Sequence, residues 1–118
     1  SSEGRVKFKG DDEFSGVYTS ELKNPVFIVV EGTISGLDQF TDGILVFSSE
    51  DTIAHEYYAY QGISIVQNGN IKNGQFTFKV TYAMCKDKNA NKLGLYIWNN
   101  KRNKLIGEMK IEIYDIIP

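Results

Sequence analysis

Apolar and polar residues alternate along most of this chain, in short runs punctuated by glycine and asparagine. In Arg5–Lys9, Val6 and Phe8 alternate with Arg5, Lys7 and Lys9, which predicts a strand with one buried face and one charged face in water. Gly10-Asp11-Asp12-Glu13 breaks it. Val17–Leu22 is a second short strand, closed by Asn24-Pro25, which starts a turn and disfavours helix before it. Val26–Ser35 is the strongest strand. Its continuous VFIVV run and alternating EGTIS fit either burial on both faces or a bulge at Gly32. A turn follows at Gly36-Leu37-Asp38-Gln39, with Phe40 as a plug over one end of the core. Gly43–Ser48 then forms another central strand.

The stretch from Tyr57 to Phe78 carries three polar-glycine pairs, Gln61-Gly62, Asn68-Gly69 and Asn73-Gly74. Asparagine and glycine tolerate the positive φ of tight hairpin turns, so the stretch predicts a β-meander with strands at Ile63–Gln67 and Gln75–Thr81. Ser49–Thr52 could cap a short helix over Thr52–Tyr58. The strand reading of Glu56–Tyr60 is preferred, because Tyr58 and Tyr60 then share one face at period two. Leu93–Trp98 and Glu108–Tyr114 complete the strands, with Asn99–Asn103 as a hairpin loop. Strict alternation at the end sends Ile111 and Ile113 inward and Lys110, Glu112 and Tyr114 outward. Lys110 and Glu112 on that face would also discourage edge pairing.

About eight or nine short strands with turns between them predict an all-β fold: a single antiparallel β-sandwich over residues 1–118. The length of 118 residues fits one core, and the 13% aromatic content suits the pleated surface of a sheet. A net charge of −2 gives no field to gather nucleic acid. The Lys-rich segment 86–104 reads as an exposed hairpin in a solvated loop region. No apolar run is long enough for a transmembrane helix. No signal sequence opens the chain, which fits either a cytosolic protein or the mature piece of an exported one.

Candidate chemistry is sparse. His55 is the single histidine and Cys85 the single cysteine, so an intrachain disulfide and a multi-cysteine metal site are excluded. The two formally permit a Cys-His dyad oriented by Asp51 or Glu56. However, Met84-Cys85 ends an apolar strand, and a buried structural cysteine is the expectation. No nucleophile elbow, phosphate loop, HExxH or CxxC occurs, so no catalytic residue and no cofactor are expected. Asp11, Asp12 and Glu13, and separately Asp38 and Asp42, are calcium candidates, since that ion takes carboxylate and carbonyl oxygens from loops. Tyr57, Tyr58, Tyr60, Tyr96 and Trp98 are candidates for a platform on which sugar rings stack, and Tyr58, Tyr60, Tyr96 and Trp98 are the ligand-binding residues it predicts. Tyr96 and Trp98 alternate with Leu95 and Ile97, so one of these pairs must face inward.

Several short features resemble the immunoglobulin-like domain that follows the catalytic domain in gingipain-type cysteine peptidases and related Bacteroidetes surface proteins. They are Val30-Glu31-Gly32-Thr33-Ile34, Phe40-Thr41-Asp42-Gly43, Tyr60-Gln61-Gly62, Asn73–Phe78, Leu93–Tyr96 and Ile106-Gly107-Glu108. Three departures are a slightly longer stretch before Asn73, Met84–Asp87 in place of the family's proline-led loop, and at least one added strand before Pro25. The resemblance implies an immunoglobulin-like Greek key and a non-catalytic scaffold or interaction domain. It also implies an exported protein, at the cell surface, in the periplasm or secreted, with a protein or glycan partner. Leu95–Ile116 is similar to the end of a C2 domain, but Asn99-Asn100-Lys101-Arg102 replaces the calcium-binding aspartates. Two alternatives stand beside the scaffold reading: a carbohydrate-binding module using the Tyr/Trp face, and a small protease inhibitor presenting a loop such as Phe40–Gly43.

Overall fold

The computed structural model describes residues 2–35 and 43–116. Among them, nine strands form: β1 (Ser2–Gly10), β2 (Phe14–Glu21), β3 (Val26–Ser35), β4 (Ile44–Asp51), β5 (Glu56–Ser64), β6 (Gly69–Lys72), β7 (Gln75–Met84), β8 (Lys92–Trp98) and β9 (Leu105–Asp115). They make two antiparallel sheets, ordered β1-β9-β3-β7-β6 and β2-β8-β4-β5. This is the all-β antiparallel sandwich that the alternation predicts. Only β4–β5 and β6–β7 are consecutive pairs within one sheet, and every other connection passes between sheets. The chain therefore wraps its core in the double Greek key of a jelly roll. An immunoglobulin domain instead keeps its first two strands in one sheet, so the resemblance reaches the Greek-key sandwich and not the strand order.

The core lies between the inner faces. β3 supplies Val26, Ile28, Val30 and Ile34, and β9 supplies Met109, Ile111 and Ile113. Opposite them stand Leu45 and Phe47 of β4 and Leu93, Leu95 and Ile97 of β8. Phe47 stacks on Tyr82 with ring centroids 4.8 Å apart. The VFIVV run is not buried on both faces, because Phe27 keeps 39% of its surface exposed. Gly32 is no bulge either. It pairs in unbroken register with Phe78 and Met109, and the Phe78 ring occupies the room a side chain would need.

Two of the three polar-glycine pairs behave differently from expectation. Asn73 and Gly74, at φ 53° and 76°, make the β6–β7 turn as predicted. Gln61-Gly62 lies inside β5, where Gly62 pairs with Val46 and leaves space for the Ile44 side chain. Ile63–Gln67 is not a strand throughout. Ser64 Oγ accepts a hydrogen bond from the Gln67 amide (3.2 Å), and Asn68 Nδ2 donates to the Ser64 carbonyl (2.6 Å). These side chains compete with the ladder and wind Val66–Asn68 into a 3-10 turn.

Before β5, Asp51 Oδ1 accepts the Ile53 and Ala54 amides at 2.9 and 3.1 Å. The turn closes at His55, φ 57°, and β5 begins at Glu56, so the strand reading holds there. Asn99–Asn103 is not a hairpin loop, because β8 and β9 belong to different sheets. Fully buried Asn99 organises that crossing by donating to the Asn103 and Asp12 carbonyls and accepting the Asn103 amide. Segment 86–104 is likewise no exposed hairpin, since it contains β8, an interior strand between β2 and β4. Lys110 and Glu112 do point outward, but β9 lies between β1 and β3, so they guard no edge.

Candidate functional site: the outer face of the four-stranded sheet

Alternation fixes which side chains of the four-stranded sheet face solvent. In β8, Leu93, Leu95 and Ile97 are fully buried, which turns Lys92, Gly94, Tyr96 and Trp98 outward. Strand register then lays the outer face out in rows. One row crosses Tyr57, Glu50, Lys92 and Glu21; the next crosses Tyr60, Ser48, Gly94 and Thr19. A third row holds Gly62, Val46 and Tyr96, and a fourth holds Ser64, Ile44, Trp98 and Phe14.

The second row begins with a large ring and continues with small residues, and that contrast makes a trough. Its depression, about 190 Å³, is lined by Tyr57, Tyr60, Ser48, Gly94, Thr19 and Tyr96 among others. A second depression of about 500 Å³ adjoins it through Thr19 and Lys92 and extends to Leu22, Thr52 and Asn91. Gly94 is the floor. A Cβ there would lie 3.0 Å from Ser48 Oγ.

Rings gather around the trough. Tyr57 and Tyr60 meet edge to face at 5.8 Å, and Phe14 and Tyr96 do the same at 5.5 Å. The Tyr60 and Tyr96 hydroxyls are hydrogen-bonded to each other. Burial, then the Tyr60 hydrogen bond and the nearby Tyr60 and Tyr57 phenols, push the Tyr96 pKa up to about 12. Tyr57 and Tyr60 nonetheless keep 59% and 61% of their surface exposed. On the charged side, Lys92 Nζ stands 3.9 Å from a Glu50 carboxylate oxygen.

The predicted site residues fall into three groups. Tyr60 and Tyr96 come together. Trp98 shares their face but stands in the fourth row, its indole donating to Glu13 at 3.2 Å. Tyr58 does not share a face with Tyr60 in the way period two predicts. It is the extra residue of a β-bulge between the Tyr57–Glu50 and Ala59–Ser49 pairs, so Tyr57 takes the place beside Tyr60. Sequence reasoning missed Thr19, Ser48, Glu50, Lys92 and Gly94. The alternation of β8 holds a signal for Gly94 and Lys92, once Leu93 and Leu95 are read as core.

The other candidates are dispersed. Glu13 is engaged by Trp98 and by Arg102, 3.9 Å away, while Asp11 and Asp12 are exposed. Among the described residues, no three His, Cys, Asp or Glu side chains converge to hold a metal ion. Asp38, Phe40 and Asp42 lie outside the described residues. Cys85 is exposed rather than buried, because β7 alternation places Met84 in the core and turns Cys85 out. Among the described residues, no helix is long and apolar enough to cross a membrane.

No family model matches the chain, and no curated protein does. Among solved structures, the pre-peptidase C-terminal domain of a collagenase from Bacillus anthracis aligns with a TM-score of 0.40 and 13% identity. The alignment covers 96% of this chain and 88% of that one. The chemistry of the site rests on this chain's own residues.

Proposed function

We propose that this chain is a non-catalytic binding domain of an exported protein, and that its ligand is a glycan held on the outer face of the four-stranded sheet. One observation carries the reading: exposed Tyr57 and Tyr60, with Tyr96 held in place by Phe14 behind it, ring a trough floored by Ser48 and Gly94. Flat apolar rings with polar tips suit the faces and hydroxyls of a sugar ring. Glu50, Lys92, Ser48 and Thr19 supply donors and acceptors at the same place.

Affinity electrophoresis through gels containing soluble polysaccharides tests this. Wild-type protein should be retarded by at least one polysaccharide, and Tyr60→Ala should migrate as in a blank gel. Unretarded wild type in every gel, or Tyr60→Ala retarded as strongly as wild type, would defeat the reading. The protease-inhibitor alternative placed its loop at Phe40–Gly43, of which only Gly43 is described.

A further inference from the structure

From the row structure of this face we infer that the ligand is an uncharged, chain-like oligosaccharide that crosses the strands, running from Tyr60 on β5 over Ser48 and Gly94 to Thr19 on β2. This rests on the glycan reading above and adds the ligand's path and charge.

The path follows from side-chain size. Tyr60, Ser48, Gly94 and Thr19 are neighbours in one row across the four strands. Three inter-strand steps of about 4.8 Å make a trough roughly 14 Å long. The Tyr57–Glu50–Lys92–Glu21 row walls one side, and Tyr96 with Val17 walls the other. Along the strands the trough is closed by these walls. Across them, past the Tyr60 ring that leans over β4 to its hydroxyl bond with Tyr96, the row holds only the small Ser48, Gly94 and Thr19, and beyond Thr19 the adjoining depression continues. A chain of sugar rings has an open course in that direction alone.

The charge follows from the walls. The ionised side chains lining the two depressions are Glu21, Glu50, Lys23 and Lys92, two carboxylates and two ammonium groups that sum to zero. Lys92 is flanked in register by Glu21 and Glu50 and is ion-paired with Glu50. Lys23 Nζ stands 3.4 Å from Glu21. Each cation already has its carboxylate, so a uronate or sulfate group would meet repulsion from Glu21 or Glu50 as it approached Lys92. Hydroxyl groups can instead bridge the paired charges without separating them.

The test is calorimetric titration of the intact chain with neutral probes (cellohexaose, xylohexaose, mannohexaose and chitohexaose) and acidic probes (galacturonate and alginate hexamers). Two blocking variants accompany it. Gly94→Thr fills the floor with a residue suited to a strand, and Thr19→Arg obstructs the β2 end from an exposed position. Thermal melting monitored by circular dichroism checks that each is folded. At least one neutral probe should bind about tenfold or more tightly than either acidic one, and each folded blocking variant should weaken it at least about tenfold. Its affinity should also persist in about 1 M salt, where charge attraction is screened. Equal or tighter acidic binding would overturn the inference about charge and leave the glycan reading standing. Neutral binding that survives the blocking variants would overturn the path. Failure of every probe would overturn both.

Discussion

The two outer faces of this sandwich come from the same alternation and differ in the balance of charged and aromatic side chains. On the five-stranded sheet the outward residues include Arg5, Lys7, Glu31, Lys79, Glu108, Lys110 and Glu112. Opposite charges stand next to one another there, as in Lys7–Glu108 and Glu31–Lys110, and Lys79 lies 3.8 Å from Glu31. On the four-stranded sheet the outward positions hold Tyr57, Tyr60 and Tyr96 around a floor of Ser48 and Gly94, with Trp98 and Phe14 in the row beyond Tyr96. A mosaic of exposed ion pairs adds little stability and keeps a surface solvated. Exposed aromatic rings beside a trough are costly to leave in water and suit a ligand. The inner faces of the two sheets specify the fold, and the difference between the outer faces points to the role.

Both faces rest on one core, so Phe47→Ala under the four-stranded sheet should cost about 3–5 kcal/mol of unfolding free energy and Met109→Ala under the other about 2–5 kcal/mol. Urea denaturation checks this, and a loss confined to one sheet would mean two separate cores. Next in size is Tyr60→Ala. It should weaken glycan binding at least about tenfold, roughly 1.4 kcal/mol, while its melting free energy changes by about 1 kcal/mol or less. On the charged face, Glu31→Ala and Lys110→Ala should leave binding unchanged and shift stability by no more than about 0.5 kcal/mol.

The faces should also differ in pH dependence, the four-stranded sheet responding through Tyr96 at the alkaline end and the five-stranded sheet through Glu112 and Tyr114 at both ends. Tyr96 titrates near 12 in the fold against an ordinary 10.0. Its contribution is therefore fully present below pH 10 and lost as pH rises from 10 towards 12. Tyr96→Phe should remove that alkaline sensitivity from the melting curve. On the charged face, the Tyr114 hydroxyl and then Lys110 hold the Glu112 carboxyl below its ordinary 4.5. That contribution is present above pH 4.5 and lost as pH falls through the lowered value. Glu112→Gln should flatten the acid limb, and it should also release the Tyr114 hydroxyl, which the Glu112 carboxylate holds above its ordinary 10.0.

Much of the fold was legible because alternation is a local signal. Val26–Ser35 was read with its observed bounds, and the inward Ile111 and Ile113 were placed correctly. Connectivity was not legible. Asn99–Asn103 reads as a hairpin loop from its composition, and nothing local reveals that Asn99 is buried and joins two sheets. The candidate site was half legible for the same reason. Tyr60 and Tyr96 were named from residue type, but the bulge at Tyr58 reverses which tyrosine lies beside Tyr60, and a bulge depends on the partner strand. The trough was invisible because its floor is made by Thr19, Ser48 and Gly94 from three strands, and small residues announce no chemistry.

Backbone amide chemical-shift mapping during titration with a retained polysaccharide's soluble oligosaccharides locates the ligand on one face or the other. Saturable shifts should concentrate at Thr19, Ser48, Tyr60, Gly94 and Tyr96, with Arg5, Glu31 and Lys110 unmoved. Shifts concentrated on Arg5, Glu31 and Lys110, with the trough unmoved, would contradict this placement.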